Sequence, residues 1–208
     1  PSGLSLQINI KFFLIFYKNV TDTVCYLHAD SLYLEQYRYY YRFWRSNMET
    51  MTFCVPCLFG LEGLVGDELR RLELSNVRVE DRRVFFEGDF AAMAKANLCC
   101  RMGERVMILL SEFDAHSFED LFQGVKATPL ERFIPKDGAF PVKGYSLNSQ
   151  LHSVPDCQAI VKKAAVTRLG EKYGLGWMPE TGETYQLRFS IMKDHVELFL
   201  DTSGVSLH

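Results

Sequence analysis

Apolar and polar positions along this chain follow two different periods, and the switches between them mark out most of its elements. Thr52 to Phe59 is a short, mostly apolar run that reads as a strand. Gly60 to Leu72 (GLEGLVGDELRRL) repeats its apolar residues at helical spacing, with Leu61, Leu64, Val65, Leu69 and Leu72 on one face. Val77 to Val79 and Val84 to Glu87 flank the polar Asp81-Arg82-Arg83 and predict a hairpin. Asp89 to Cys99 is helical with Asp89 as its cap, and Val106 to Phe113 is a further strand. Strand, helix, hairpin, helix, strand is the order of a small ferredoxin-like α+β unit.

A second unit opens at Ser117-Phe118-Glu119-Asp120, where a serine followed three residues later by an acid predicts a capping box and a helix running towards Arg132. The cluster Ile134-Pro135-Lys136-Asp137-Gly138 stops it. Phe140 to Ser146 reads as a strand. Ser153-Val154-Pro155-Asp156 predicts a second capping box, opening a helix that turns Cys157, Ile160, Val161, Ala164 and Leu169 inward and ends at Gly174. Tyr185, Leu187, Phe189 and Ile191 alternate with polar neighbours, and a Lys193-Asp194 turn leads into Val196 to Leu200, which predicts a terminal β-hairpin.

Before residue 48 this patterning lapses. Seven of the ten tyrosines fall within the first 41 residues, whereas every glycine except Gly3 lies later. Residues 1–47 are therefore expected to be an atypical N-terminal extension, translated from upstream sequence, with Met48 and Met51 as candidate starts. The alternative is an aromatic-rich docking extension, which would make the chain a protein-interaction module.

Composition narrows the function classes. With 208 residues, 48% of them hydrophobic, the chain can bury a proper core. A formal net charge of -3 excludes a protein that coats nucleic acid with its whole surface, so any RNA binding must use a local basic patch. The most apolar early run, Ile8 to Tyr17, is interrupted by Asn9 and Lys11 and is too short to span a bilayer. The six cysteines are too irregularly placed for a disulfide framework, and a reducing cytoplasm is the expected location.

Cys54-Val55-Pro56-Cys57 invites a thiol redox reading, but no second Cys-x-x-Cys or His pair completes a zinc site, and buried thiols are the simpler expectation. The five histidines form no metallohydrolase motif, and neither a nucleophile elbow nor a phosphate-binding loop exists. The informative cluster runs from Lys143 to Lys172. From it we select Lys143, Ser146, Ser149, Lys162, Lys163 and Arg168 as RNA-binding candidates, since lysines and arginine meet phosphates while hydroxyls supply hydrogen bonds.

The run Lys143 to Leu169 (KGYSLNSQLHSVPDCQAIVKKAAVTRL), with Cys57-Leu58-Phe59-Gly60-Leu61-Glu62 before it and Leu200-Asp201-Thr202-Ser203-Gly204 after it, resembles the THUMP-containing class I RNA methyltransferases of Gram-positive bacteria. The likeness covers roughly residues 51–208. It implies a ferredoxin-like domain over 51–114 followed by a THUMP domain over 115–208, together presenting ribosomal RNA to an S-adenosylmethionine-dependent domain that methylates guanine N2 of large-subunit rRNA. That catalytic domain is expected to begin after His208, because neither its glycine-rich cofactor loop nor its Asn-Pro-Pro-aromatic motif occurs here. The resemblance thus implies a chain that binds RNA, with no catalytic residue, metal or cofactor of its own.

Overall fold

The computed structural model describes residues 50–204; the expectations for residues 1–47 lie outside them. In chain order the elements are β1 (Met51–Pro56), α1 (Glu62–Arg71), β2 (Ser75–Glu80), β3 (Arg83–Gly88), α2 (Phe90–Cys99) and β4 (Met107–Asp114). They are followed by α3 (Phe118–Ala127), a 3-10 turn (Leu130–Arg132), β5 (Val142–Leu147), α4 (Val154–Tyr173), β6 (Leu187–Met192) and β7 (His195–Asp201).

β1 lies between β3 and β4 and is antiparallel to both, while β2 pairs with β3 at the edge. This is the expected ferredoxin-like arrangement. β4 also pairs along its other side with β7, so both halves share one seven-stranded sheet, ordered β2-β3-β1-β4-β7-β6-β5. β5 and β6 run parallel, joined by the α4 crossover, and β6 and β7 form the predicted hairpin. Its turn residues Lys193 and Asp194 both take left-handed backbone angles (φ 53 and 65), the geometry a tight hairpin requires.

Strand alternation sorts side chains onto two faces. Phe53, Val84, Phe86, Ile108, Leu187, Phe189, Ile191, Val196, Leu198 and Leu200 share one face through their register pairs and are all buried. The helices cover this face. Gly66 of α1 sits against Val79, Gly88 before α2 against Ala92, and Gly124 of α3 against the Phe113 ring. Val65, Leu69, Leu121, Val125, Val161, Ala165 and Leu169 complete the core from the helical side.

Several predicted boundaries move for local reasons. The helix from Ser117 has its capping box, but ends at Ala127 and not near Arg132. Pro129 forces this, because the residue before a proline is driven out of helical angles, and Thr128 is extended (φ -67, ψ 130). At Ser153 no capping box forms; its side chain makes no cap hydrogen bond, and Pro155 removes one of the first-turn amides. The other end of α4 is as predicted: Gly174 adopts φ 65, a conformation that favours glycine. β1 stops at Pro56, short of Phe59, and β5 starts at Val142 rather than Phe140. In α1 the apolar face is narrower than expected, since Leu64 is 50% exposed.

Candidate nucleic-acid interface

The predicted basic residues separate into those committed to the fold and those facing outward. Lys162 Nζ lies 2.6 Å from a Glu180 carboxylate oxygen, donates to the Phe140 carbonyl at 3.1 Å and sits 3.6 Å from the centroid of the Phe140 ring. Arg168 forms a two-pronged pair with Glu131, Nε at 2.9 Å and Nη2 at 2.5 Å, which ties α4 to the 3-10 turn. Burial pushes the Glu131 carboxyl up, but hydrogen bonding to Arg168 and the charges of Arg168 and Lys172 outweigh it and hold the group below the ordinary carboxylate range. Ser149 donates to Asp194 at 2.7 Å and accepts from the Leu151 amide, pinning its loop to the β6–β7 turn. The Ser146 hydroxyl is buried without a hydrogen-bond partner. Only Lys143 and Lys163 are exposed. Lys163 stands on α4, 5.7 Å above the Phe122 ring, whereas Lys143 stands on β5 with no ion pair to any described residue.

Lys143 points onto the sheet face opposite the helices, and there the structure gathers residues that the sequence reading passed over. Register places Lys143 directly beside Arg188, Tyr145 beside Ser190, and Leu147 beside Met192. Further along the same face follow Phe199, Leu109, Met107, Cys54 and Phe85, an apolar floor of mostly buried side chains. Across it Arg83 of β3 forms an ion pair with Glu197 of β7. Those strands are three positions apart, on the order of 14 Å on a flat sheet at the usual strand spacing. The contact therefore requires the sheet to curl towards this side, making the face concave. Arg83 also meets Glu80 at 3.0 Å and lies 4.9 Å over the Phe85 ring.

The concavity holds a hollow of about 670 Å³. Cys54, Met107, Met192 and Phe199 supply apolar lining, and Arg82, Arg105, Arg188, Tyr145 and Ser190 border it along with the acidic Asp81 and Glu104. Arg105 and Arg188 share a single carboxylate oxygen of Asp201, whose side chain is 1% exposed; two guanidinium groups on one carboxylate leave a surplus positive charge. Lys143 adds to it. Like charges side by side on neighbouring strands disfavour the sheet, so the Lys143–Arg188 pairing is a cost that the fold carries. Tyr145 is 49% exposed and Ser190, 3% exposed, has no partner for its hydroxyl. The signal for these residues was present in the alternation: Arg188 and Ser190 occupy the positions between Leu187, Phe189 and Ile191, and Lys143 and Tyr145 share one parity in β5.

The remaining chemical candidates do not build a reactive centre. Burial in β1 pushes the Cys54 thiol far up, and burial with the charges of Glu62 and Glu104 raises Cys57 to about 11. Both are protonated at neutral pH, so disulfide exchange at this pair lacks its thiolate nucleophile. Alkylation of the native protein at pH 8 is expected to label the exposed Cys99 while leaving Cys54 and Cys57 unmodified until denaturant is added; rapid labelling of Cys54 would restore the redox reading. Glu112, His195 and Glu197 bring ligand atoms within 4.8 Å of one another, but Glu197 is already neutralised by Arg83 and His195 is held by Asp114 at 2.8 Å. Among the described residues no helix is long and apolar enough to cross a membrane.

Residues 52–107 match the family model of the RlmL ferredoxin-like domain, and residues 115–201 match that of the THUMP domain. Among curated proteins, "Putative RNA methyltransferase YpsC" of Bacillus subtilis is 40% identical over 163 residues, covering 77% of this chain and 42% of that protein. "Ribosomal RNA large subunit methyltransferase K/L" of Cellvibrio japonicus is 28% identical over 157 residues, covering 75% of this chain and 21% of that protein. Among solved structures, SMU.472, titled a putative methyltransferase complexed with SAH, superposes with a TM-score of 0.72 at 37% identity, over 76% of this chain and 43% of that one. The chain thus spans less than half the length of these relatives.

Proposed function

Because the chain belongs to the RNA methyltransferase family that pairs an RlmL-type ferredoxin-like domain with a THUMP domain, we propose that it is the substrate-recognition region of such an enzyme. It binds large-subunit ribosomal RNA and presents it to a methyltransferase domain carried elsewhere in the parent protein. Guanine N2 is the proposed target. S-adenosylmethionine supplies the methyl group in that separate domain; the residues described here take no part in the transfer. Their work is binding and orientation.

The observation that carries this reading is the concave sheet face, where Lys143 and Arg188, with Arg105 behind them, concentrate positive charge beside an exposed aromatic ring on a chain whose net charge is -3. Phosphates and ribose hydroxyls can be held by such a surface without a sequence code. Lys163, on the helical side, is a second cation open to phosphate, separate from this face.

Binding of the full chain to large-subunit rRNA fragments across a salt series tests it. Lys143→Glu is expected to weaken binding roughly tenfold at low salt, about 1.4 kcal/mol, and to reduce the salt slope by about 1. Lys163→Glu in parallel reports whether the helical side also touches RNA. If wild-type protein fails to bind at low salt, the RNA-recognition reading falls.

A further inference from the structure

We infer that the hollow on the concave sheet face is a pocket for one unstacked RNA base, held against Tyr145 and hydrogen-bonded by Ser190. The inference rests on the RNA-recognition reading and goes beyond it, because phosphate binding alone needs neither a hollow nor an orphan hydroxyl.

Three features of the site point to a base. The first is its mixed lining. An apolar floor of Met107, Met192 and Phe199 is bordered by Arg82, Arg105 and Arg188 together with the carboxylates of Asp81 and Glu104, and this mixture of apolar surface with donors and acceptors matches a flat ring with polar edges. The second is Tyr145, half exposed at the edge strand, where its own hydroxyl meets only the Met192 sulfur at 4.0 Å. An aromatic side chain left open beside Lys143, which has no ion pair to a described residue, and beside two arginines that share the single Asp201 carboxylate, is the arrangement that single-stranded nucleic acids use, with bases stacked on rings and phosphates on cations. The third is Ser190. Its residue is 3% exposed, it borders the hollow, and its hydroxyl has no partner. Buried hydroxyls are normally satisfied, and a base edge, which offers both donors and acceptors, is able to satisfy this one.

The register fixes how the parts cooperate. Tyr145 and Ser190 are direct neighbours across β5 and β6, and Lys143 and Arg188 are the direct neighbours two residues earlier on the same face. A base between the Tyr145 ring and the floor therefore has its 5′ or 3′ phosphate at Lys143. A duplex cannot supply that base without unpairing it, so the pocket selects single-stranded loops, bulges or ends over helices.

The experiment uses the full chain and two probes of equal length: a single-stranded RNA carrying one 2-aminopurine, and a fully paired duplex. Wild-type protein is expected to quench the 2-aminopurine emission on binding. Tyr145→Ala should weaken single-strand binding roughly tenfold and abolish the quenching while duplex binding is unchanged, and Tyr145→Phe should restore both. Ser190→Ala should weaken single-strand binding yet raise the melting temperature, since it removes an unsatisfied buried hydroxyl; a purely structural serine would lower it. Wild-type single-strand affinity and quenching in Tyr145→Ala, with both probes still bound, would overturn the pocket and leave the RNA reading standing. Loss of all binding in the wild type would remove both.

Discussion

Replacing Glu197 with alanine is expected to lower the unfolding free energy by about 3 kcal/mol, the low end of the cost of breaking a buried ion pair from one side. The Glu197 side chain is 7% exposed and that of its partner Arg83 is 20% exposed. Alanine leaves the guanidinium over the apolar floor with only Glu80, at 3.0 Å, to offset its charge. The loss is thus smaller than for a fully abandoned cation. The double replacement Arg83→Met with Glu197→Leu should recover most of the loss, since it removes both desolvated charges together. Urea unfolding of the wild type and the two variants decides the matter. A loss under about 0.5 kcal/mol for the single change would mean that the pair behaves like an exposed salt bridge and does not brace the curl of the sheet.

Gly144→Val should cost about 3 kcal/mol, towards the severe end of overpacking, and should also disrupt the face proposed to bind RNA. A Cβ at Gly144 would lie 2.4 Å from the Phe189 carbonyl oxygen and 2.5 Å from its ring. A flexible side chain can move aside, but this oxygen belongs to β6, which is paired to β5 along its whole length. The strand must shift or open. Because β5 is the sheet's last strand and pairs only with β6, opening is the cheaper response, and it displaces Lys143 and Tyr145 together. Amide exchange should accelerate in β5 before β1; uniform acceleration throughout the sheet would instead indicate global destabilisation.

What the sequence revealed was local. Ser117 and Asp120 lie within one helical turn, and their capping box forms as expected. Lys193 and Asp194 mark their turn, and Gly174 ends its helix. What it concealed depends on distant partners. Lys162 and Arg168 read as a basic stripe because their carboxylates, Glu180 and Glu131, are 18 and 37 positions away. The hollow was equally hidden. It needs β5 parallel to β6 across the α4 crossover, β7 seated on β4, and a sheet curled far enough for Arg83 to reach Glu197. None of these is a property of neighbouring residues. Alternation alone marked Tyr145 and Ser190 as sharing a face only after the pairing of their strands was known.

β4 has a consequence for any attempt to divide the molecule. The two family matches meet around it, one ending at 107 and the other starting at 115, as though a cut beyond Asp114 would release two finished modules. Yet β4 hydrogen-bonds to β1 on one side and β7 on the other. A piece ending at Asp114 would display a bare row of amides and carbonyls on β4, and a piece starting at Ala115 would display the matching row on β7. Bare rows of that kind are templates for edge-to-edge aggregation. The halves carry separate family signatures, but each is the other's cover against self-association.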